Sequence, residues 1–134
     1  MNFSKRVMSL SLEGLPEGLI VLGESAFYRG GEGIHINELP LGLKKLSAWS
    51  LADCPLVNIS TFGSSVVGNG LTEIGHGALY NSGRNVSEIF LLNSITTLHS
   101  DNVTYPSTNY AAFEGYANNL ETFTSVKTAT SILD

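Results

Sequence analysis

The feature that most constrains this chain is a short apolar phrase that it repeats. Leu39-Pro40-Leu41-Gly42-Leu43-Lys44-Lys45-Leu46 is followed by Ser50-Leu51 and Cys54. An earlier copy, Leu15-Pro16-Glu17-Gly18-Leu19-Ile20-Val21-Leu22, is followed by Ala26-Phe27. Gly70-Leu71-Thr72-Glu73-Ile74 leads later to Ala78-Leu79, and Leu91-Leu92-Asn93-Ser94-Ile95-Thr96-Thr97-Leu98 is a looser fourth copy. The turn residues Gly18, Gly42, Gly70 and Ser94 recur at a near-constant interval, with the middle step slightly longer than the two equal steps on either side of it. Self-similarity at such a period marks chains whose units cannot each bury a core and must stack to make one.

Within each unit the order of residues is the same. A turn comes first, then Leu-x-x-Leu: Leu19/Leu22, Leu43/Leu46, Leu71/Ile74 and Ile95/Leu98. Four residues further on stands a small residue before a large one: Ala26-Phe27, Ser50-Leu51 and Ala78-Leu79. A corner of small residues follows (Gly30-Gly31, Cys54-Pro55, Ser82-Gly83), then a second apolar strand: Ile34-His35-Ile36, residues 56–59 and residues 86–91. Stacked in register, the leucine positions form ladders, and nearest-neighbour contact between units carries the stability. The expected fold is therefore mainly β, with two short strands per unit joined by turns or single helical turns at residues 24–29, 48–53 and 75–81. Read this way, the leucines of the second copy are core and Gly42 is a turn.

The units have ends and one break. Residues 1–14, with Val7, Leu10 and Leu12 alternating among polar residues, read as a half-repeat that caps the start of the stack. Residues 15–125 hold the four units, and residues 126–134 form a β-prone tail. In the fourth unit the Ala-Phe pair is delayed to Ala112-Phe113, fourteen residues after Leu98 instead of four. The insertion, residues 99–110, is rich in Asn, Ser, Thr, Tyr and Pro and reads as a loop. Gly115-Tyr116 then supplies the last corner and residues 120–123 the last strand.

Composition narrows the function. Of 134 residues only 14% are charged, and the net charge is −5. Lys5-Arg6 and Lys44-Lys45 are isolated pairs, so the convergent cations that phosphate backbones or anionic membranes require are not expected. No apolar run reaches membrane-spanning length. The first twelve residues show no signal-peptide core, so a cytoplasmic or virion location is expected, or a cell surface if the chain belongs to a longer secreted protein. The single cysteine, Cys54, allows no internal disulfide and reads as a small core residue.

Candidate chemistry is sparse. His35, His76 and His99 lack ligand-spaced partners, so no metal is expected. Gly30-Gly31-Glu32-Gly33 and Gly68-Asn69-Gly70 are corner glycines and lack the Lys-Ser/Thr of a phosphate loop. No nucleophile motif occurs, and neither an enzymatic activity nor a cofactor is expected. A binding face is better supported. Second-strand positions between the core residues should face outward: His35, Asn37, Asn58, Ser60, Ser87, Glu88, Glu121 and Thr122. The inserted loop adds Tyr105, Asn109 and Tyr110, and tyrosine is favoured at interfaces for its apolar body and polar tip.

These repeats resemble the BspA-like class of leucine-rich repeats, whose unit of about 23 residues falls in the leucine-rich range. That unit reads Pro-x-Gly/Ser-Val-x-x-Ile-Gly-x-x-Ala-Phe, then Cys, then Leu-x-x-Ile and back to Pro. The segment from Leu15 to Phe27 and the segment from Leu39 to Cys54 carry the likeness, with Ser50-Leu51 in place of Ala-Phe. The segment from Gly70 to Leu79 matches without the proline, and Leu92 replaces it in the fourth copy. The resemblance implies a right-handed leucine-rich-repeat solenoid and a role in protein or cell-surface recognition. Members are typically large secreted bacterial or protozoan surface proteins, and the repeat also occurs in phage-encoded proteins. Few repeats and a degenerate last unit favour a compact accessory protein. The expected function is a non-enzymatic protein–protein interaction or assembly module, such as a phage virion component, with self-association or another protein as partner. The alternative is a fragment of a surface adhesin that recognises host protein or glycan.

Overall fold

The computed structural model describes residues 2–3, 12–66, 69–99, 111–113, 116, 122–125 and 131–133. The expected loop residues Tyr105, Asn109 and Tyr110, and Glu121, lie outside the described residues. Eleven short strands are described: β1 (Asn2–Phe3), β2 (Leu12–Glu13), β3 (Val21–Leu22), β4 (Ile34–His35), β5 (Lys45–Leu46), β6 (Thr61–Phe62), β7 (Glu73–Ile74), β8 (Glu88–Leu91), β9 (Thr97–His99), β10 (Thr122–Ser125) and β11 (Ser131–Leu133). The only helical pieces among the described residues are the 3-10 turns Gly31–Gly33 and Ala111–Phe113. The protein is thus mainly β, and all its named strand pairs are parallel.

The period of the apolar phrase reappears as strand register. Six strands form one open sheet in the order β1-β3-β5-β7-β9-β11, so each strand lies beside the next but one in the chain. Val21 pairs with Lys45, Lys45 with Glu73 and Glu73 with Thr97. These pairings repeat, step for step, the spacing of Gly18, Gly42, Gly70 and Ser94. Leu22, Leu46, Ile74 and Leu98 therefore stand side by side, all fully buried. The same holds one turn earlier for Leu19, Leu43, Leu71 and Ile95, and beyond the strands for Phe27, Leu51, Leu79 and Phe113. Each such side chain contributes about 1.5–3 kcal/mol by leaving water. Ala26, Ser50, Ala78 and Ala112 are buried in front of the large residues, as their small size requires. The delayed Ala112 takes its expected place, since the Leu79 N–H donates to the Ala112 carbonyl at 3.0 Å.

The segments 24–29, 48–53 and 76–81 are turns and form no helix. Alternate N–H groups leave the segment for the neighbouring one. Ser25, Phe27 and Arg29 donate to Ala48, Ser50 and Ala52 at 3.0, 2.9 and 2.9 Å. Trp49, Leu51 and Asp53 donate to His76, Ala78 and Tyr80 at 3.0, 2.8 and 2.8 Å. The N–H groups between them close tight turns, as Ala26 to Gly23 and Tyr28 to Ser25, both at 3.2 Å. An α-helix would send its bonded N–H groups to carbonyls four residues back, whereas here they go to residues three back or to the neighbouring segment. This alternation also needs left-handed residues at two matched columns: Ser25, Trp49 and Gly77, with φ of 55°, 59° and 63°, then Arg29, Asp53 and Asn81, with φ of 59°, 56° and 54°. Each non-glycine residue there costs about 1–2 kcal/mol, offset by the ladder it makes possible.

The second side is less regular. β2 pairs with β4, and Ile36 bridges Val57, but β6, β8 and β10 form a separate three-stranded sheet. The expected second strand at residues 56–59 reduces to the bridge at Val57, and the strand of that unit lies at Thr61–Phe62. The cause is Tyr116. Its hydroxyl accepts from the Ile59 N–H and donates to the Ile59 carbonyl, both at 2.7 Å, which uses the backbone groups a strand neighbour would take. The neighbouring strand starts at Glu88 rather than residue 86, and the last one is described over Thr122–Ser125, past the expected end at residue 123, while residues 120–121 lie outside the described residues.

Leu41 is a second correction. It is 89% exposed, while Leu43 and Leu46 are fully buried. Leu41 stands at the tip of a tight turn closed by Leu43 N–H to Pro40 carbonyl at 3.1 Å, the place that Glu17 holds in the preceding copy.

Candidate recognition site

The expected polar strip is only partly assembled. His35, Asn37, Ser87 and Glu88 are exposed, and Asn58 and Ser60 are half-buried. Register brings Glu88 beside Thr122, and the Ser60 carbonyl accepts from the Phe90 N–H at 2.7 Å. Asn58 is already engaged, because its Oδ1 accepts from the Asn85 N–H at 3.0 Å and so tethers one unit to the next. His35 lies beside Glu13 on the separate β2–β4 pair, so the strip is divided where the sheet is divided.

A different cluster is better built. Tyr28, Ala52 and Tyr80 occupy the same place in three successive turns, as the hydrogen bonds of the residues after them show. Ala52 is small and buried, and the ring of Trp49 lies between the two tyrosines. Its centroid is 6.4 Å from Tyr28, 5.5 Å from Tyr80 and 5.4 Å from His76, each edge to face. All four rings are half-buried, and such pairs contribute about 0.5–1.5 kcal/mol beyond their burial. The Arg29 guanidinium stands 5.2 Å above the Tyr28 ring and 3.8 Å from Asp53, which also accepts from Asn81 Nδ2 at 3.0 Å. Gly77 makes the indole's position possible: a Cβ there would come within 2.6 Å of the Trp49 ring.

A cleft of about 280 Å³ opens beside this cluster, lined by Glu24, Lys45, Ser47, Ala48, Glu73, Gly75 and His76. Its walls come from the matched positions Glu24, Ala48 and His76 and from the outward strand residues Lys45 and Glu73, which form an ion pair at 3.4 Å. Its floor is backbone, since a Cβ on Gly75 would meet Ala48 N at 2.7 Å. The cleft therefore presents carboxylate, ammonium, hydroxyl and imidazole groups next to aromatic rings.

Sequence reasoning passed over this cluster because its members come from three units, and Trp49 stands three positions before the column that Tyr28, Ala52 and Tyr80 share. A signal was present: aromatic residues at 28, 49 and 80 fall only in the turn segments, where the phrase demands none.

Cys54 is buried, and its thiol donates to the Phe27 carbonyl at 3.2 Å. Burial pushes it up from 9.0 to about 11, with the Asp53 charge adding to the rise. A thiol so held stays neutral and inert at neutral pH. Burial likewise raises the Tyr116 phenol. Among the described residues no group of three His, Cys, Asp or Glu is placed to hold a metal ion, and no helix is long and apolar enough to cross a membrane. Compared with family models, curated proteins and solved structures, the chain shows no match.

Proposed function

We propose that this chain is a short right-handed solenoid of leucine-rich repeats and serves as a non-enzymatic assembly module that joins a larger protein structure, such as a virion. Strand steps that reproduce the sequence period, and core columns drawn from the same phrase, support the solenoid. One observation carries the assembly role: the six-stranded sheet is open, and β1 and β11 each have a neighbour on one side only among the described residues. An edge strand presents unpaired N–H and C=O groups, a template for another strand. The low charge leaves little repulsion to prevent such pairing. The partner is a second copy of the chain or a strand-donating protein.

Sedimentation at rising concentration, with proline placed in turn at Ser131, Ile132 and Leu133, tests this reading. Association with concentration is expected. It should be lost, with the fold kept, where the removed N–H faces the open edge, whereas proline at an N–H bonded to β9 should lower stability instead. A chain that stays monomeric at every concentration, and in its native setting, would sink the assembly role. The adhesin reading keeps one observation in its favour, the half-buried aromatic cluster beside a polar cleft.

A further inference from the structure

We infer that the Tyr28–Trp49–Tyr80 cluster and the cleft beside it form a binding site for a neutral oligosaccharide. The inference goes beyond the assembly reading and does not depend on the open sheet edges. A pyranose ring has an apolar face of C–H groups and a rim of hydroxyls that both donate and accept. The site is divided in the same way. The aromatic rings supply the surface for the C–H face, since their π faces are electron-rich and Tyr and Trp lose little side-chain entropy on binding. The cleft supplies acceptors at Glu24 and Glu73, a donor at Lys45, and groups that do both at Ser47 and His76.

Two features favour a sugar over a peptide. A protein hot spot seats an apolar anchor in a desolvated pocket, and the only side-chain carbon wall in this cleft without a polar group is Ala48. Lys45 and Glu73 meet as an ion pair inside the cleft, and Glu24 adds a second carboxylate that can accept from hydroxyls, so the lining suits a ligand rich in hydroxyl donors and without negative charge. The spacing is suitable as well. Successive units are separated by the inter-strand distance of about 4.8 Å, close to the length of one pyranose residue. A chain of sugars laid along the stack would therefore meet an equivalent position at each unit: Tyr28, then Trp49 above Ala52, then Tyr80.

The chain contains one tryptophan, so its fluorescence reports on this site alone. The test titrates the full chain with cellohexaose, xylohexaose, mannohexaose, maltohexaose and chitohexaose and follows the emission of Trp49. A saturable shift with at least one of them is expected. Tyr80→Ala and the conservative Glu24→Gln should each weaken that binding roughly tenfold, the loss of one good contact, with circular dichroism as in the parent for both; the thermal melt stays as in the parent for Glu24→Gln and falls for Tyr80→Ala by the lost ring contact with Trp49. Thr61→Ala, on the other side of the molecule, should leave the binding unchanged. An emission that stays constant across the series to the solubility limit overturns the inference. So does binding that survives both site substitutions. An emission shift that appears with protein concentration and no sugar would assign the cluster to a protein contact, and also overturns it. The strand-edge experiment reads sedimentation, so failure of either idea is visible without the other.

Discussion

The two sides of this protein solve the same problem differently. On the side of the six-stranded sheet and its turns, every unit repeats the preceding one. Equivalent strand positions follow the period of the apolar phrase, and matched N–H groups run from turn to turn. On the other side the steps along the chain are uneven. Leu12 pairs with Ile34 and Ile36 with Val57, over short steps, whereas Thr61 pairs with Phe90 and Glu88 with Thr122, over longer and unequal ones, and the sheet divides. There backbone groups are satisfied by single side chains with no equivalent bond in the other units among the described residues. Tyr116 bonds both backbone groups of Ile59, and Asn58 takes the Asn85 N–H. Ser94 accepts from the Ser64 N–H at 2.8 Å and donates to the Leu71 carbonyl at 2.6 Å. A regular side is held by many equivalent bonds of which each is dispensable. A patched side depends on single residues.

The sharpest way to break that comparison is at Tyr116. Its ring sits buried with Phe62 and Phe113, at centroid distances of 6.1 and 6.0 Å, so Tyr116→Phe keeps the packing and removes only the hydroxyl. Two backbone groups of Ile59 then lose their partner in the interior. At about 1–3 kcal/mol for each buried group left unsatisfied, the loss should reach about 3 kcal/mol. Chemical denaturation measures it, and a change below about 0.5 kcal/mol, the usual range of a surface substitution, would show that the irregular side does not rely on this residue.

A second effect comes from the corner where the two sides join. The folded-state pKa of Cys54 is raised to about 11 by burial, from an ordinary value of 9.0. The unfolded chain therefore ionises its thiol first as pH rises. The contribution of Cys54 is fully present below pH 9, begins to fall there, and is lost by about pH 11. A gap of about two units corresponds to at most about 2–3 kcal/mol. Tyr116, raised in the same direction, adds to the loss at higher pH. Denaturant midpoints from mildly alkaline pH up to about pH 11 should fall for the parent and fall less for Cys54→Ala. Equal slopes in the two proteins would remove Cys54 as the cause.

The regular side was legible in the sequence because repetition is its cause. Leu19, Leu43, Leu71 and Ile95 recur at the strand period, and a recurring apolar residue has one place to go. The buried Cys54, the small residues before Phe27, Leu51 and Leu79, and the return at Ala112-Phe113 followed from the same pattern. The second side was only partly legible. A hydroxyl fifty-seven positions away decides that Ile59 is no strand residue, and nothing local to residues 56–59 signals it. Leu41 misled because an apolar residue beside Pro40 reads as core, although its turn position matches Glu17. The aromatic cluster was hidden for a related reason: Tyr28, Trp49 and Tyr80 come one from each of three turns and meet only through the register between those turns.

The smallest effect separates two buried serines that the repeat treats alike as small residues. Ser82 Oγ accepts from the Cys54 N–H at 2.9 Å and donates to the Leu51 carbonyl at 2.7 Å. Ser50 stands fully buried in the alanine column of Ala26, Ala78 and Ala112, and its Oγ has no hydrogen-bond partner. A buried hydroxyl without a partner costs about 1–3 kcal/mol by transfer from water. The native serine bears that cost where an alanine would not. Ser50→Ala should therefore stabilise the protein by about 1 kcal/mol, whereas Ser82→Ala should destabilise it by a similar or larger amount, because the Cys54 N–H and the Leu51 carbonyl are both left unpaired. Thermal or denaturant unfolding of the two variants gives opposite signs if the hydrogen bonding decides. If both substitutions lower stability, the Ser50 hydroxyl is satisfied in solution, and the alanine column tolerates a polar group that the bonding geometry alone says it should reject.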